Sequence, residues 1–351
     1  MSAIPATPEE ITALWLAEVM QDSVPGIDLA GVEVLQQHSG TTGRMRVGLH
    51  HAAGSTGPES VFVKLPPFDE KQQRLVAATE MGRREARFYA GPAREARMRI
   101  PQAFYAAAGD QPTEYVMVLE DLEASGCSFT NRLEPPTEEH SGELIRSLGR
   151  VHAAFWEDPR FDAELSWLPP AMRGSHGAKL IANAKEQFAA DMPPVFTALC
   201  DVYIENDQRI AEILDEGEQT LIHGDTHAGN LFVDRDTIGL YDWAVISRSP
   251  GIRDVSIFLG NSCDTELRRR RQEDWVRDYH QVLVDAEVAA PSFDVLWTRY
   301  RRCVIYAWIA ATTTASMGSK WQPIEVGMLG MQRSTATCGD LETVEALREA
   351  L

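Results

Sequence analysis

The stretch 221–243, LIHGDTHAGNLFVDRDTIGLYDW, constrains this chain more than any other. Two apolar residues lead into a polar knot, His223-Gly224-Asp225-Thr226-His227-Ala228-Gly229-Asn230. Leu231-Phe232-Val233, a polar turn at Asp234-Arg235-Asp236-Thr237, and Ile238-Gly239-Leu240-Tyr241 follow, which is the pattern of a β-hairpin. Positions 230 and 242 lie equally far from residue 236 in that turn, so an antiparallel hairpin predicts Asn230 and Asp242 facing each other at its open end. An amide oxygen and a carboxylate in that arrangement are hard donors of the kind Mg²⁺ prefers. Asp225 sits on the loop entering the hairpin, where it can orient a nucleophile or accept its proton.

Asp-x-x-x-x-Asn, followed by a second Asp beyond a hairpin, is the catalytic layout of kinases, and the other parts of that layout lie upstream in order. Lys64 ends the short apolar strand Val61-Phe62-Val63-Lys64, which Pro66-Pro67 closes. Glu85 follows 21 residues later in a segment, 70–90, whose Leu75, Val76, Met81 and Phe88 give a helical texture. Gly40, Thr41 and Gly43 form a turn between two strands predicted within Val32–Leu49, where backbone N–H groups can approach phosphate. The strand Tyr115–Leu119 runs into Glu120-Asp121-Leu122, in the place of a connector that reads a nucleotide base.

Composition bounds the alternatives. The chain has 351 residues, enough for about two domains or two lobes. Its 33 basic and 52 acidic residues give a net charge of −19, which argues against nucleic-acid or anionic-membrane binding and gives weak support to a cationic ligand. The five cysteines contain no Cys-x-x-Cys pair, so reduced thiols are expected. The first twenty residues have no basic region followed by an apolar core, and no stretch reaches a membrane-spanning length; a cytoplasmic protein is expected. Thr7, Pro8 and Glu10 read as a capping box opening a first helix with Ile11, Leu14, Trp15 and Val19 on one face. The strand-rich first third, 1–122, precedes a helix-rich remainder, 123–351, with a long amphipathic helix carrying Leu144, Ile145, Leu148, Val151 and Phe155 and helical texture over 176–216 and 264–316. That order is an α+β arrangement.

The motifs together resemble the aminoglycoside phosphotransferase and choline kinase-like family, small-molecule kinases with the protein-kinase fold. HGDTHAGN matches the family's His-Gly-Asp-x-His-x-x-Asn loop, YDW its metal-binding Asp, and IRDVSIFL its later Asp, here Asp254. VFVKL, REARFYA, VLEDL and LGRVHAAFW make the chain most similar to the ecdysteroid-kinase-like branch. The resemblance implies a two-lobed fold, with a small antiparallel sheet in the N-lobe and a mainly helical C-lobe. It also implies ATP and Mg²⁺ as cofactors and a small-molecule hydroxyl as acceptor. By the same resemblance Asp225 is the catalytic base, Asn230 and Asp242 are Mg²⁺ ligands, and Lys64 contacts phosphate, held by Glu85. Gly40, Thr41, Gly43, Glu120 and Leu122 complete the nucleotide site, with His223, His227 and Asp254 in support. Gly224 stands where regulated protein kinases carry an arginine, which argues against that mode of control.

Two other readings compete. One is a catalytically silent nucleotide-binding relative. The other is a metal-dependent hydrolase using His223, Asp225 and His227. His152 reads as a satisfied core histidine, and Arg268–Arg271 as a solvated helix face. Trp275, Tyr279, Trp297, Tyr300, Tyr306 and Trp308 supply aromatic bulk around the expected acceptor wall, most of it core. Oligomeric state is not encoded in any of these signals.

Overall fold

Alternation fixes the first half of the chain. The computed structural model describes residues 3–131, 133–171, 177–320 and 323–351; position 176 and the side chain of Leu75 lie outside the described residues. Pro8–Glu10 is a short 3₁₀ turn in which Thr7 makes no side-chain cap. Helix α1 (Ala13–Met20) begins later, capped by Thr12, whose side chain accepts from the Trp15 N–H. The expected Thr7–Glu10 box is therefore not formed, and the Glu10 carboxylate accepts from the Ala6 N–H instead. With this start the buried face is Leu16, Val19 and Met20, and Leu14 turns out to solvent, 81% exposed.

Strands β1 (Leu29–Ser39) and β2 (Gly43–His51) form the expected hairpin, followed by β3 (Ser60–Leu65). The predicted helical segment 70–90 is two helices, α2 (Glu70–Ala77) and α3 (Met81–Ala90). Glu80, at φ 50°, breaks them, because one left-handed residue ends the i to i−4 ladder. Strand β4 (Ala103–Ala108), which its alanine-rich sequence does not announce, precedes β5 (Tyr115–Glu120). The antiparallel sheet runs β1-β2-β3-β5-β4. Val61, Val63 and Leu65 of β3 join the core with Met45, Val47, Val116 and the face of α1. Lys64, one step out of that rhythm, belongs to the other face of the sheet.

A two-residue strand, β6 (Ser128–Phe129), leads to helix α4 (Glu138–Ala154). Thr137 caps α4, and its apolar stripe buries Leu144, Ile145, Leu148, Val151 and Phe155 as the periodicity predicts. Then come α5 (Gly177–Phe188), α6 (Pro194–Leu214), β7 (Thr220–Ile222), the hairpin β8 (Leu231–Asp234) and β9 (Thr237–Leu240), and β10 (Ser247–Ser249), which pairs with β7. Helices α7 (Ile252–Asn261), α8 (Thr265–Asp285), α9 (Phe293–Ser316), α10 (Ile324–Asp340) and α11 (Thr343–Arg348) complete the chain. Trp275, Tyr279, Tyr300 and Trp308 are fully buried. Arg268 departs from the expected solvated run: it is 1% exposed and bonds Asp340 and Gln272.

The chain forms two compact units. The first comprises Met1–Ser128, Phe232–Asp236 and Leu240–Ile246, and the second Phe129–Leu231, Thr237–Gly239 and Ser247–Leu351. Among the described residues no helix is long and apolar enough to cross a membrane.

Candidate active site

In the first unit the chemistry gathers on Lys64. Its Nζ donates to Glu85 Oε2 and, at 2.9 Å, to Asp242 Oδ1. Lys64 is 4% exposed and Glu85 fully buried. Burial opposes the charge on Lys64, but Asp242 and Glu85 outweigh it and raise its pKa. Burial also pushes the Glu85 carboxyl up, and Asp242 adds to that push against the pull of Lys64. Asp242 occupies the left-handed region, φ 61°, and the next residue, Trp243, stacks on Phe88 of α3 with ring centroids 4.2 Å apart. The helix that supplies Glu85 thus also anchors the segment that supplies Asp242. Arg44 Nη2 lies 3.9 Å from Asp242 Oδ2. Sequence reasoning missed Arg44; the pairing of Arg44 with Lys64 across β2 and β3 is the signal, and it requires the register.

The β1–β2 turn is tight for a packing reason. A Cβ on Gly43 would meet the Phe68 ring at 2.3 Å and the Pro66 carbonyl at 2.5 Å, so only glycine fits there. Gly40 N–H bonds the Thr42 carbonyl, at 3.1 Å, closing the turn around Thr41. Glu120 and Leu122 belong to another cluster. Arg99 clamps both Glu120 oxygens, at 2.9 and 2.7 Å, reaches Asp234 at 2.8 Å and lies over the Phe232 ring. Leu122 packs with Cys127 and Phe232. The Glu120 side chain is therefore committed to Arg99, and Asp121 to Arg46 and Ser60.

In the second unit the polar knot is held from below by Asp254, in the first turn of α7. Its fully buried carboxylate accepts the N–H of His223 at 2.7 Å and of Gly224 at 2.9 Å, and its carbonyl accepts the Thr226 hydroxyl at 2.6 Å. His152 Nε2 lies 3.3 Å from the same carboxylate, and His152 Nδ1 meets the Tyr279 hydroxyl at 2.9 Å. The expected core histidine is thus a brace for the loop. Gly224 has φ +83°, a conformation that a side chain resists, and this lets both N–H groups turn toward Asp254.

Above that base, His223 Nδ1 accepts the Asp225 N–H at 3.2 Å. His227 Nδ1 accepts the Gly229 N–H at 3.0 Å, which leaves the proton on Nε2 facing Asp225 Oδ2 at 3.2 Å. Asn230 Nδ2 donates to the Asp225 carbonyl at 2.9 Å and to Oδ2 at 3.3 Å, turning its Oδ1 the other way. The hydrolase reading loses support here: both histidines use Nδ1 to accept a backbone N–H, and among the described residues no three His, Cys, Asp or Glu side chains gather as a metal set.

The profile of the ecdysteroid kinase-like family matches residues 39–290, and the chain belongs to that family. Among solved structures it is similar to an aminoglycoside phosphotransferase candidate from Ralstonia eutropha JMP134, with 11% identity, a TM-score of 0.56, and 94% of this chain and 98% of that one covered. It is likewise similar to the GDP and kanamycin complex of the phosphotransferase APH(2")-IIIa, with 14% identity, a TM-score of 0.51, and coverage of 95% and 99%. No curated protein matches it. The fold is therefore the α+β, two-lobed, protein-kinase-like fold that the resemblance implied.

Proposed function

We propose that this chain is a phosphotransferase that moves the γ-phosphoryl group of ATP, with Mg²⁺, to a hydroxyl of a small molecule. The observation that carries this reading is Lys64, a buried cation held by fully buried Glu85 and shared with the more exposed Asp242. Glu85 keeps the ammonium aimed, and Asp242 is the partner that Lys64 gives up when phosphate arrives.

Asn230 and Asp242 would hold Mg²⁺. Both are oxygen donors, and Asn230 already spends its Nδ2 on Asp225, so its Oδ1 is the atom on offer. When bound, the ion neutralises phosphate charge and orients the transferred group. Asp225, oriented by His227 and Asn230, accepts the acceptor hydroxyl's hydrogen bond and its proton. Asp254 fixes the loop on which that geometry depends. The β1–β2 turn (Gly40, Thr41, Gly43) and the backbone at Glu120–Leu122 complete the nucleotide site. Catalysis of this kind is positioning plus charge stabilisation, which suits groups fixed before substrate binds.

The test is a coupled ADP-release assay over hydroxylated metabolites, with mass detection of the added phosphate. Asp225→Ala is expected to lower turnover by about 10²–10⁴-fold with the fold intact by circular dichroism, and Asp242→Ala to lower it comparably. Undiminished turnover in either variant removes the assignment.

A further inference from the structure

A cavity of about 250 Å³ opens beside Asp225 and His227 within the second unit, walled by α7, α9 and α10. We infer that it receives the acceptor, and that the acceptor is a small uncharged alcohol bearing a second oxygen that Asn261 binds. This rests on the phosphotransferase reading above.

Size comes first. At about 250 Å³ the cavity falls below the ~300 Å³ where drug-sized sites begin. The walls from α9 and α10 are small side chains such as Ala311, Thr314 and Gly330, so the space is slender and without aromatic plates. A large fused-ring or multi-ring acceptor would have to project from its mouth. Charge comes second. The lining contributes one carboxylate, Asp225, already engaged by His227 and Asn230. A polycation needs several anionic partners, and the chain's excess of acidic residues does not converge here.

The third observation is a fixed donor. The Ala228 N–H, on the catalytic loop, donates to Ser262 Oγ at 2.9 Å, and Ser262 Oγ donates to Asn261 Oδ1 at 2.6 Å. That relay engages the amide oxygen and sets the amide's orientation. Asn261 Nδ2 makes no hydrogen bond among the described residues, and Asn261 lines the cavity. A site built to donate a hydrogen bond rejects ligands that lack the acceptor. In the reaction the alcohol oxygen bonds to the γ-phosphorus, the bond from that phosphorus to the β–γ bridging oxygen breaks, the hydroxyl proton passes to Asp225, and ADP leaves.

MgATP binding by the wild-type chain is measured first, and its absence defeats the phosphotransferase reading itself. With binding present, 4-hydroxybutan-2-one, butan-1-ol, choline and kanamycin are compared by ADP release and by mass of the phosphorylated product. The hydroxyketone is expected to exceed choline and kanamycin at least tenfold in kcat/KM. Asn261→Ala should lower kcat/KM for the hydroxyketone about tenfold, through KM, while changing butan-1-ol less than twofold. The isosteric Asn261→Asp should move preference toward choline. Preference of the wild type for choline or kanamycin, an equal loss for hydroxyketone and butan-1-ol, or no phosphorylation of either neutral probe while MgATP binds overturns the inference.

Discussion

The two units fix their functional groups by different physics. The first relies on ion pairs in a low-dielectric setting: Lys64 with Glu85 and Asp242, Arg99 with Glu120 and Asp234, Arg46 with Asp121. The second holds Asp225 by backbone N–H groups, histidine nitrogens and one buried carboxylate, Asp254. Ion pairs are strong but exchangeable, because an incoming anion can replace a carboxylate. Backbone N–H bonds to a buried carboxylate are neither screened nor traded. On the proposed function, a nucleotide would enter and leave the first kind of site, whereas the proton-accepting group of the second would stay fixed through the cycle.

Substitutions can break this contrast. Lys64→Met strands the buried Glu85 carboxylate and should cost about 3–5 kcal/mol in urea unfolding. The double variant Lys64→Met with Glu85→Leu should recover most of that loss, since an apolar pair replaces an ionic one. If the double is as unstable as the single, exchangeable charge is the wrong description of the first unit. Asp254→Asn should cost less, about 1.5–3 kcal/mol, and should slow turnover, because the His223 and Gly224 N–H groups bond different carboxylate oxygens and the carboxamide sets a donor NH₂ against one of them. Unchanged stability there dissolves the distinction from the other side. Gly224→Ala forces a side chain into the left-handed region and should cost about 1–2 kcal/mol by the same unfolding measurement.

Acid gives the smallest effect. Burial works against ionising Glu120 and Asp121, yet the Arg99 bonds on the first, and the Ser60 and Arg46 bonds on the second, lower both pKa values. Their stabilisation is present above the ordinary values of 4.5 and 3.8 and is lost as pH falls through the lowered ones. Arg99→Gln should therefore raise the midpoint of acid unfolding followed by a first-unit probe. A midpoint equal to that of the wild type shows that the Arg99 clamp adds no pH-dependent stability.

Much of this molecule was legible because its signals are local. The hairpin after the polar knot, strand β3 ending at Lys64 and the stripe of α4 each follow from spacing alone. The misses are long-range. No local pattern puts Arg44 beside Asp242, or His152 and Tyr279 under Asp254, since those meetings depend on strand register and helix packing. The break at Glu80 rests on one left-handed residue that no apolar spacing announces, and α1 starts late because Thr12, not Thr7, supplies the cap. Trp275, Tyr279, Tyr300 and Trp308 were legible as core, but sequence could not show that the cavity beside Asp225 is walled by small residues.

The partners of Lys64 lie far apart in the chain: Glu85 follows it by 21 positions and Asp242 by 178. At ~5–20 residues per second a ribosome takes roughly 9–36 s to cover that longer interval. Through all of it Asp242 is absent, and Glu85 is the only one of these two partners that the emerged chain can offer Lys64. A fragment ending near residue 128 would lack Asp242 for good, so the first unit can be completed only late in translation, after most of the polypeptide has been made.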